Sequence, residues 1–529
     1  MSSALFINAK VWKPNGEFAQ SFGLRNNLFD FSGSNDEAKR IKSDYDYIID
    51  LDEKLVLPGL IDGHLHLVKG SLMIKRFDAS NIKDVRTLKI KIHDYASSNP
   101  SQSWIVGGNL DINSIIKEID FSKGNFVDEI YSDKPLFINN FDYHSAFCNT
   151  KALEASGLMK RLDEFSNEEV VKDSDGNPNG IIKEKAQKFM YSILPQPLLD
   201  EKVKAIEEFT TILHSYGITS VSDITLIDEF EVYKKLYEQD KLKVRINSYI
   251  PFEEFPNLIK YKEYTKEINP DLFTISGFKA YWDGSLSSET ALFSQNYKGK
   301  THKGYKTGLV ENGEIFRLAK EINSSGMQMI IHAIGDKAVT EVLDLYESLH
   351  ESSKKRRHRI EHAQHIQEND LPRFNEHGVV ASVQPIHIKY DAITVNDKLA
   401  GELIPLTHNY KKIIDDGGVV NFGTDFPIVE VNPFENIRLA LTRKTKEGVF
   451  LPELCIDLHT CIKAYTIDNA YSNFNENRVG TIEKGKTADF VIMEDDLFEI
   501  DPDDMTNTKV WKTFFNGLDT SDNKLFEIQ

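Results

Sequence analysis

Apolar residues along the chain are concentrated in eight short runs rich in Val, Ile and Phe, separated by polar stretches that often carry helical spacing. The runs are LVLPGLIDGHLHL (55–67), ITSVSDI (218–224), VRINSYI (244–250), FTISGFKAYW (273–282), MQMIIHAIG (327–335), HRIEHAQ (358–364), VVASVQP (379–385) and VVNFGTDFP (419–427). Between the later runs, DKAVTEVLDLYESLH (336–350) and ENIRLALTRKT (435–445) repeat their apolar residues with a helical period, which predicts amphipathic helices. Strands alternating with helices predict a parallel α/β domain, and eight of them predict a (β/α)8 barrel of the TIM type.

Two parts of the chain do not fit a bare barrel. From Val68 to Leu213 the gap between the first and second runs is too long for one crossover helix, so an inserted α/β subdomain is expected at about 70–212. It carries strand-like segments of its own, SWIVGG and KPLFINN, and is expected to lie over one end of the barrel. The termini are also strand-like: ALFINAKVW and YIIDLDEKLVL at the start, TADFVIMEDDL and KVWKTFFNG at the end. They predict a composite β-sandwich from 1–57 and 478–529, leaving 58–477 for the barrel and its insertion.

Composition narrows the partners. At 529 residues, 40% hydrophobic and 27% charged, the chain can bury a large core. Its 82 acidic and 63 basic residues give a net charge of −19, which repels nucleic acid and anionic membranes and suits a small neutral or cationic substrate. The expected partners are that substrate and, at most, further copies of the chain as a homo-oligomer. Cys148, Cys455 and Cys461 have neither disulfide-framework nor metal-knuckle spacing, which suits a reducing compartment. The start MSSALFINAKVW lacks the features of a secretory signal, and no run reaches the ~20 apolar residues of a membrane span. A cytoplasmic location is expected.

Candidate chemistry sits at the ends of the predicted strands, where barrel enzymes place their sites. His64 and His66 end the first run two residues apart, so in an extended backbone both project from one face. His332 closes the fifth run, His362 lies in the sixth and Asp425 in the eighth. Taken singly, each has a structural alternative: a buried, hydrogen-bonded histidine, or an aspartate capping the next helix. Taken together they form a donor set suited to zinc or a similar divalent ion. Lys279, inside the apolar fourth run, either snorkels, loses its charge, or adds carbon dioxide to become an anionic carbamate ligand.

Several longer motifs resemble the amidohydrolase superfamily: PGLIDGHLH, the lysine strand, HAIGD, RIEHAQ, GTDFP and GTIEKGKTADFVI. HSAFCNTKAL (144–153), GNPNGIIKE (176–184), FKAYWDGSLSSETA (278–291), SVQPIH (382–387) and DFPIVEVNPFENI (425–437) narrow the resemblance to its family-3 branch, the YtcJ-like proteins and N-substituted formamide deformylases. The resemblance implies metal ligands at His64, His66, a carboxylated Lys279, His332, His362 and Asp425. It also implies substrate-binding or supporting roles for His144, Asp283 and His387. The chain departs from the family at Gly107-Gly108-Asn109-Leu110-Asp111, which lacks the usual tryptophan, and at Ser287 and Glu289, where the family carries Gly and Arg. These departures bear on the substrate. Trp282 and Phe426, beside proposed ligands, point to an apolar pocket.

The expected reaction is hydrolysis of a C–N bond in a small amide, of the N-substituted formamide or N-acyl amine type, by metal-bound hydroxide, with Asp425 as ligand and general acid/base. One or two ions are expected, zinc first, with manganese or iron as alternatives, and carbon dioxide as a further requirement if Lys279 is carboxylated. Hydrolysis of a cyclic amide or deamination would use the same residues. A non-catalytic binding or scaffold homologue is the remaining reading; such proteins lose ligands, whereas all six positions are kept here.

Overall fold

The computed structural model describes residues 3–100, 102–120, 124–140, 145–349 and 354–521, with the side chains of 113, 114 and 116 left aside. The chain divides into two compact units, Met1–Gly70 with Ile206–Gln529, and Ser71–Ala205.

The first unit contains an eight-stranded parallel sheet: β1 (Leu60–Leu65), β2 (Ile218–Ile224), β3 (Arg245–Pro251), β4 (Phe273–Tyr281), β5 (Gln328–Ala333), β6 (Arg359–His362), β7 (Val380–Val383) and β8 (Val420–Phe422). They lie side by side in chain order, which is the order a run of βα units generates. The sheet closes on itself just beyond β8. There the Asp425 N–H donates to the His64 carbonyl (2.7 Å) and the His66 N–H to the Phe426 carbonyl (2.8 Å). The result is a TIM-type barrel. Its outer layer follows from amphipathic spacing: the helix Asp336–Ser348 buries Ala338, Val339, Val342, Leu343, Leu345 and Tyr346, the i, i+3, i+4, i+7 pattern of one helix face.

The run 55–67, read above as one strand, is two. Leu55–Pro58 pairs with Phe490–Met493, whereas β1 pairs with β2. The change falls at Gly59, whose N–H goes to Asp489 O (2.9 Å) while the Leu60 N–H goes to Gly217 O (2.9 Å). A Cβ at Gly59 would meet Thr219 Oγ1 at 2.3 Å, so only glycine lets the chain pass from one sheet to the other. The helix read at 435–445 is also displaced. It spans Pro433–Thr442 and ends where Arg443 turns left-handed (φ +48°) to enter a short hairpin.

Strands from both termini form two further sheets, one of four strands (3–7, 21–25, 28–33 and 47–50) and one of six that includes 10–12, 55–58, 490–493 and 510–515. Residues of both contribute to one core, in which Phe6 stacks on Phe22 at 4.4 Å and Phe490 on Phe514 at 4.3 Å. A buried ion pair ties this region to the barrel: Arg245, at the start of β3, donates to both oxygens of Asp489 (2.6 and 3.1 Å). The second unit is built on a six-stranded mixed sheet that includes Ile105–Leu110 and Leu136–Asn140. Among the described residues no helix is long and apolar enough to cross a membrane.

The barrel seam generates a testable expectation. A Cβ at Gly423 would lie 2.4 Å from the His64 backbone nitrogen and 2.9 Å from the His64 Cβ, so the added methyl must displace the strand that carries His64. Gly423→Ala should cost about 1–3 kcal/mol, as overpacking does. Gly108→Ala, whose methyl would meet nothing nearer than 3.9 Å, is the control. Equal urea midpoints for the two variants would contradict this account of the seam.

Candidate metal centre and cavity

The strand ends bring three predicted ligands to one point. His64 and His66 leave β1 on the same face, and the closure bonds bring Asp425 between them, with its Oδ1 3.4 Å from both His64 Nε2 and His66 Nε2. That separation is long for a hydrogen bond. It matches two donor atoms sharing one ion at ~2.1 Å in a tetrahedral arrangement. Among the described residues the ligand atoms of these three side chains lie within 4.8 Å of one another. His362 and Asp425 hold left-handed backbone conformations (φ +70° and +62°) that non-glycine residues adopt rarely, and that turn their side chains inward.

His332 and His362 form the adjoining side of the group. Their ring centroids are 4.5 Å apart, and His362 lies 5.2 Å from His64. Each proposed histidine ligand but His66 has one ring nitrogen engaged by the protein: His64 Nδ1 donates to Glu361, His332 Nε2 to Gly284 O (3.0 Å) and His362 Nδ1 to Gln384 Oε1 (2.8 Å). Such bonds fix tautomer and ring orientation and leave the other nitrogen as an electron-pair donor, the arrangement that supports metal-bound imidazoles. Glu361 is itself held by the buried Arg359, which donates to its two oxygens at 2.8 and 3.1 Å.

The electrostatics follow from burial and these contacts. Burial pushes the Asp425 carboxyl up, but the imidazoles of His64 and His66 hold it well below the usual carboxylate range. Burial, then the Lys279 ammonium, lowers His332 to about 3, and burial and His332 push His362 well down as well. Both are neutral imidazoles, the form that binds metals. For His64 burial opposes charge, yet Glu361 raises its pKa, so this position favours a cation. Lys279 is buried on β4 with Nζ 4.8 Å above the Tyr281 ring and no hydrogen-bond partner among the described residues; burial brings it down to about 8. The neutral imidazoles of His332 and His362 and the ionised carboxylate of Asp425 make a donor set that fits a divalent ion.

The remaining predicted residues separate. Asp283, just past β4, accepts from the N–H groups of Leu292, Ile334 and Gly335 (2.7, 3.1 and 2.9 Å) and stands 3.6 Å from His332 Nε2. It anchors the loop after β4 to the end of β5. Burial raises its pKa to about 7. His387 closes the helical turn Pro385–His387 after β7, is the N-cap of the helix Ile388–Lys398, stacks on His362 at 6.1 Å, and has its Nε2 buried without a hydrogen-bond partner among the described residues. His144 lies outside the described residues. His64, His66, His332, His362, His387 and Asp425 all line a cavity of about 390 Å³, together with Leu286, Ile334, Val429 and other apolar side chains.

The cavity wall is largely apolar, but not through the two aromatic residues that pointed to it. Trp282 and Phe426 are not among its lining residues: Trp282 is buried with Nε1 on Glu341 (2.8 Å), and Phe426 stacks on Phe209 at 4.8 Å. Glu289, where the sequence departs from the family pattern, is not among the lining residues either; Lys398 (3.2 Å) and Lys300 (3.6 Å) pair with it. Sequence reasoning passed over Glu361, Arg359 and Gln384, which hold the imidazoles, and over Gln364 and Asp391, which line the cavity. The signal for Glu361 and Arg359 was their alternation with Ile360, two polar residues facing the barrel interior.

Comparison with known proteins agrees with this architecture. The Arabidopsis thaliana protein LONG AFTER FAR-RED 3 is 28% identical over 492 residues, covering 90% of this chain and 84% of the relative. The N-substituted formamide deformylase of Arthrobacter pascens is 23% identical over 492 residues, covering 89% of each chain. The crystal structure of an uncharacterised metal-dependent hydrolase from Pyrococcus furiosus superposes with a TM-score of 0.78 at 24% identity, over 93% of this chain and 99% of that one, which shows a shared fold. Residues 47–518 match the model of the amidohydrolase family, third branch, and the chain therefore belongs to the amidohydrolase family.

Proposed function

We propose that the protein hydrolyses the C–N bond of a small amide, of the N-substituted formamide or N-acyl amine type, using a divalent metal, zinc first, held by His64, His66, His332, His362, Asp425 and a carboxylated Lys279. The observation that carries this reading is the convergence of His64, His66 and Asp425, with ligand atoms within 4.8 Å of one another, on a cavity that is otherwise largely apolar. The substrate class is supported by the similarity to a relative named as an N-substituted formamide deformylase.

A divalent ion held by these residues would supply Lewis-acid chemistry, lowering the pKa of water from ~15.7 to about 7 and polarising a carbonyl. The protein's own groups do the rest. Asp425 is held at the seam by its backbone bond to His64 and kept ionised by the two imidazoles, so its carboxylate accepts the proton of the attacking water and returns it to the leaving nitrogen. His387, with an uncommitted Nε2 beside His362, serves as a hydrogen-bonding group to the substrate amide. Asp283 positions His332 and the loop that carries Leu286. The apolar residues Leu286, Ile334 and Val429 receive the acyl or N-substituent and exclude bulk water. Lys279 gains a metal-ligating oxygen when its amine adds carbon dioxide, releasing one proton; its burial and lack of a partner support that role.

Protein purified without chelators should contain about one to two equivalents of zinc, manganese or iron and should release acid or amine from a panel of N-substituted formamides and N-acyl amines, losing activity on chelation and regaining it with metal. Metal-free protein that stays inert after reconstitution would overturn the proposal. Asp425→Asn should keep its melting temperature near that of the wild type and lose turnover by about 10²–10⁴-fold, the range for removal of a proton-transfer group. Near-normal turnover in that variant would remove Asp425 from the acid/base role. Lys279→Ala should bind less metal, with partial recovery when a short carboxylic acid is supplied; unchanged metal stoichiometry would count against the carbamate.

A further inference from the structure

The cavity has a second polar region that the proposed reaction does not use. Asp391 lies on the helix Ile388–Lys398 after β7 and lines the cavity, with its side chain 15% exposed. Its Oδ2 accepts from Gln364 Nε2 (2.6 Å) and from His408 Nε2 (2.9 Å). Its Oδ1 accepts no hydrogen bond among the described residues. Two donors on one oxygen fix the carboxylate and leave the other oxygen uncommitted.

The partners supply hydrogen bonds but no charge. Burial and the Arg443 guanidinium push His408 well below its ordinary value, and burial with His408 brings the neighbouring His365 to about 4. Both are neutral at physiological pH. No lysine or arginine pairs with Asp391 among the described residues, and His387, one helical turn earlier, leaves its Nε2 without a partner. Desolvation raises the Asp391 carboxyl to about 6, so it is ionised at neutral pH. A carboxylate set in a mostly apolar wall, with the imidazoles of His387 and His365 nearby but no lysine or arginine paired with it among the described residues, is costly unless something that enters the cavity supplies a full positive charge. The net charge of −19 draws cations toward the protein.

We propose that Asp391 is a specificity-determining residue of this cavity, receiving a cationic amidinium or ammonium group carried by the part of the substrate that does not react. This rests on reading the cavity as the substrate site, but not on the bond that is cleaved there. The test is calorimetric titration of metal-loaded full-length protein with benzamidine and with its neutral near-isostere benzamide. The wild type should bind benzamidine about 10-fold or more tightly than benzamide, and Asp391→Asn, with metal content and melting temperature unchanged, should bring the two within about 2-fold, the scale of one charge-assisted hydrogen bond. Should Asp391→Asn not fold, Asp391→Ser is read in the same way. Equal binding of the two probes by the wild type, or a preference for benzamidine that survives in the variant, would overturn the proposal. Amidinium preference in a protein that cleaves no amide would uphold Asp391 while refuting the amide-hydrolase reading.

Discussion

One buried guanidinium governs the interior of the barrel. Arg359, fully enclosed at the start of β6, donates to both oxygens of Glu361, to the Gly63 carbonyl (2.5 Å) on β1 and to Ser382 Oγ (3.0 Å) on β7. An ion taken out of water in this way costs several kcal/mol unless its donors are matched. Here the matching groups come from three strands, so satisfying the arginine requires those strands to stand in register. Glu361 passes the constraint on by accepting from His64 Nδ1. The first proposed ligand is thus oriented by a chain of hydrogen bonds that begins in the barrel core.

A second constraint acts from the side. The seam between β8 and β1 needs Gly423, because nothing larger fits against His64, and the next residues bring Asp425 to the two histidines through a backbone bond. Asp62 reinforces this closure by accepting from Thr424 N–H (3.0 Å) and Oγ1 (2.7 Å) as well as from His64 N–H (3.1 Å). Backbone geometry and buried charge therefore specify the same three side chains independently. Such agreement gives a preorganised site, since little has to move for the donors to converge.

The barrel was legible in the sequence because parallel strands buried on both faces have near-continuous apolar character, and because the proposed ligands cluster toward the carboxyl ends of those strands. The split at Gly59 was not, since Leu55–Pro58 and β1 are equally apolar and only their pairing partners distinguish them. Glu361 and Arg359 alternate with Ile360, but that local pattern does not say which of the two faces lies inside a closed barrel. Trp282 misled for the complementary reason: next to the lysine strand in sequence, it turns outward to Glu341. Asp391 lies outside every motif singled out in the sequence, and Gln364 and His408, which give it meaning, come from two other segments.

That contrast separates what carries the chemistry from what selects the substrate. The proposed ligands stand on strands and the residues just beyond them, where hydrogen bonds between neighbouring strands hold each position. The wall opposite in character, with Leu286, Ser287 and Asp391, belongs to the loop after β4 and the helix after β7. These two segments are fastened to each other: Lys398 Nζ donates to Ser287 O (2.7 Å) and pairs with Glu289. The glutamate that replaces the family's arginine is therefore matched by a lysine on the facing helix, so the charge reversal is absorbed in the scaffold of the wall. The uncompensated charge lies at Asp391, one face of that same helix. A change of substrate within this architecture requires altering the loop and helix together, and leaves the strand ends untouched.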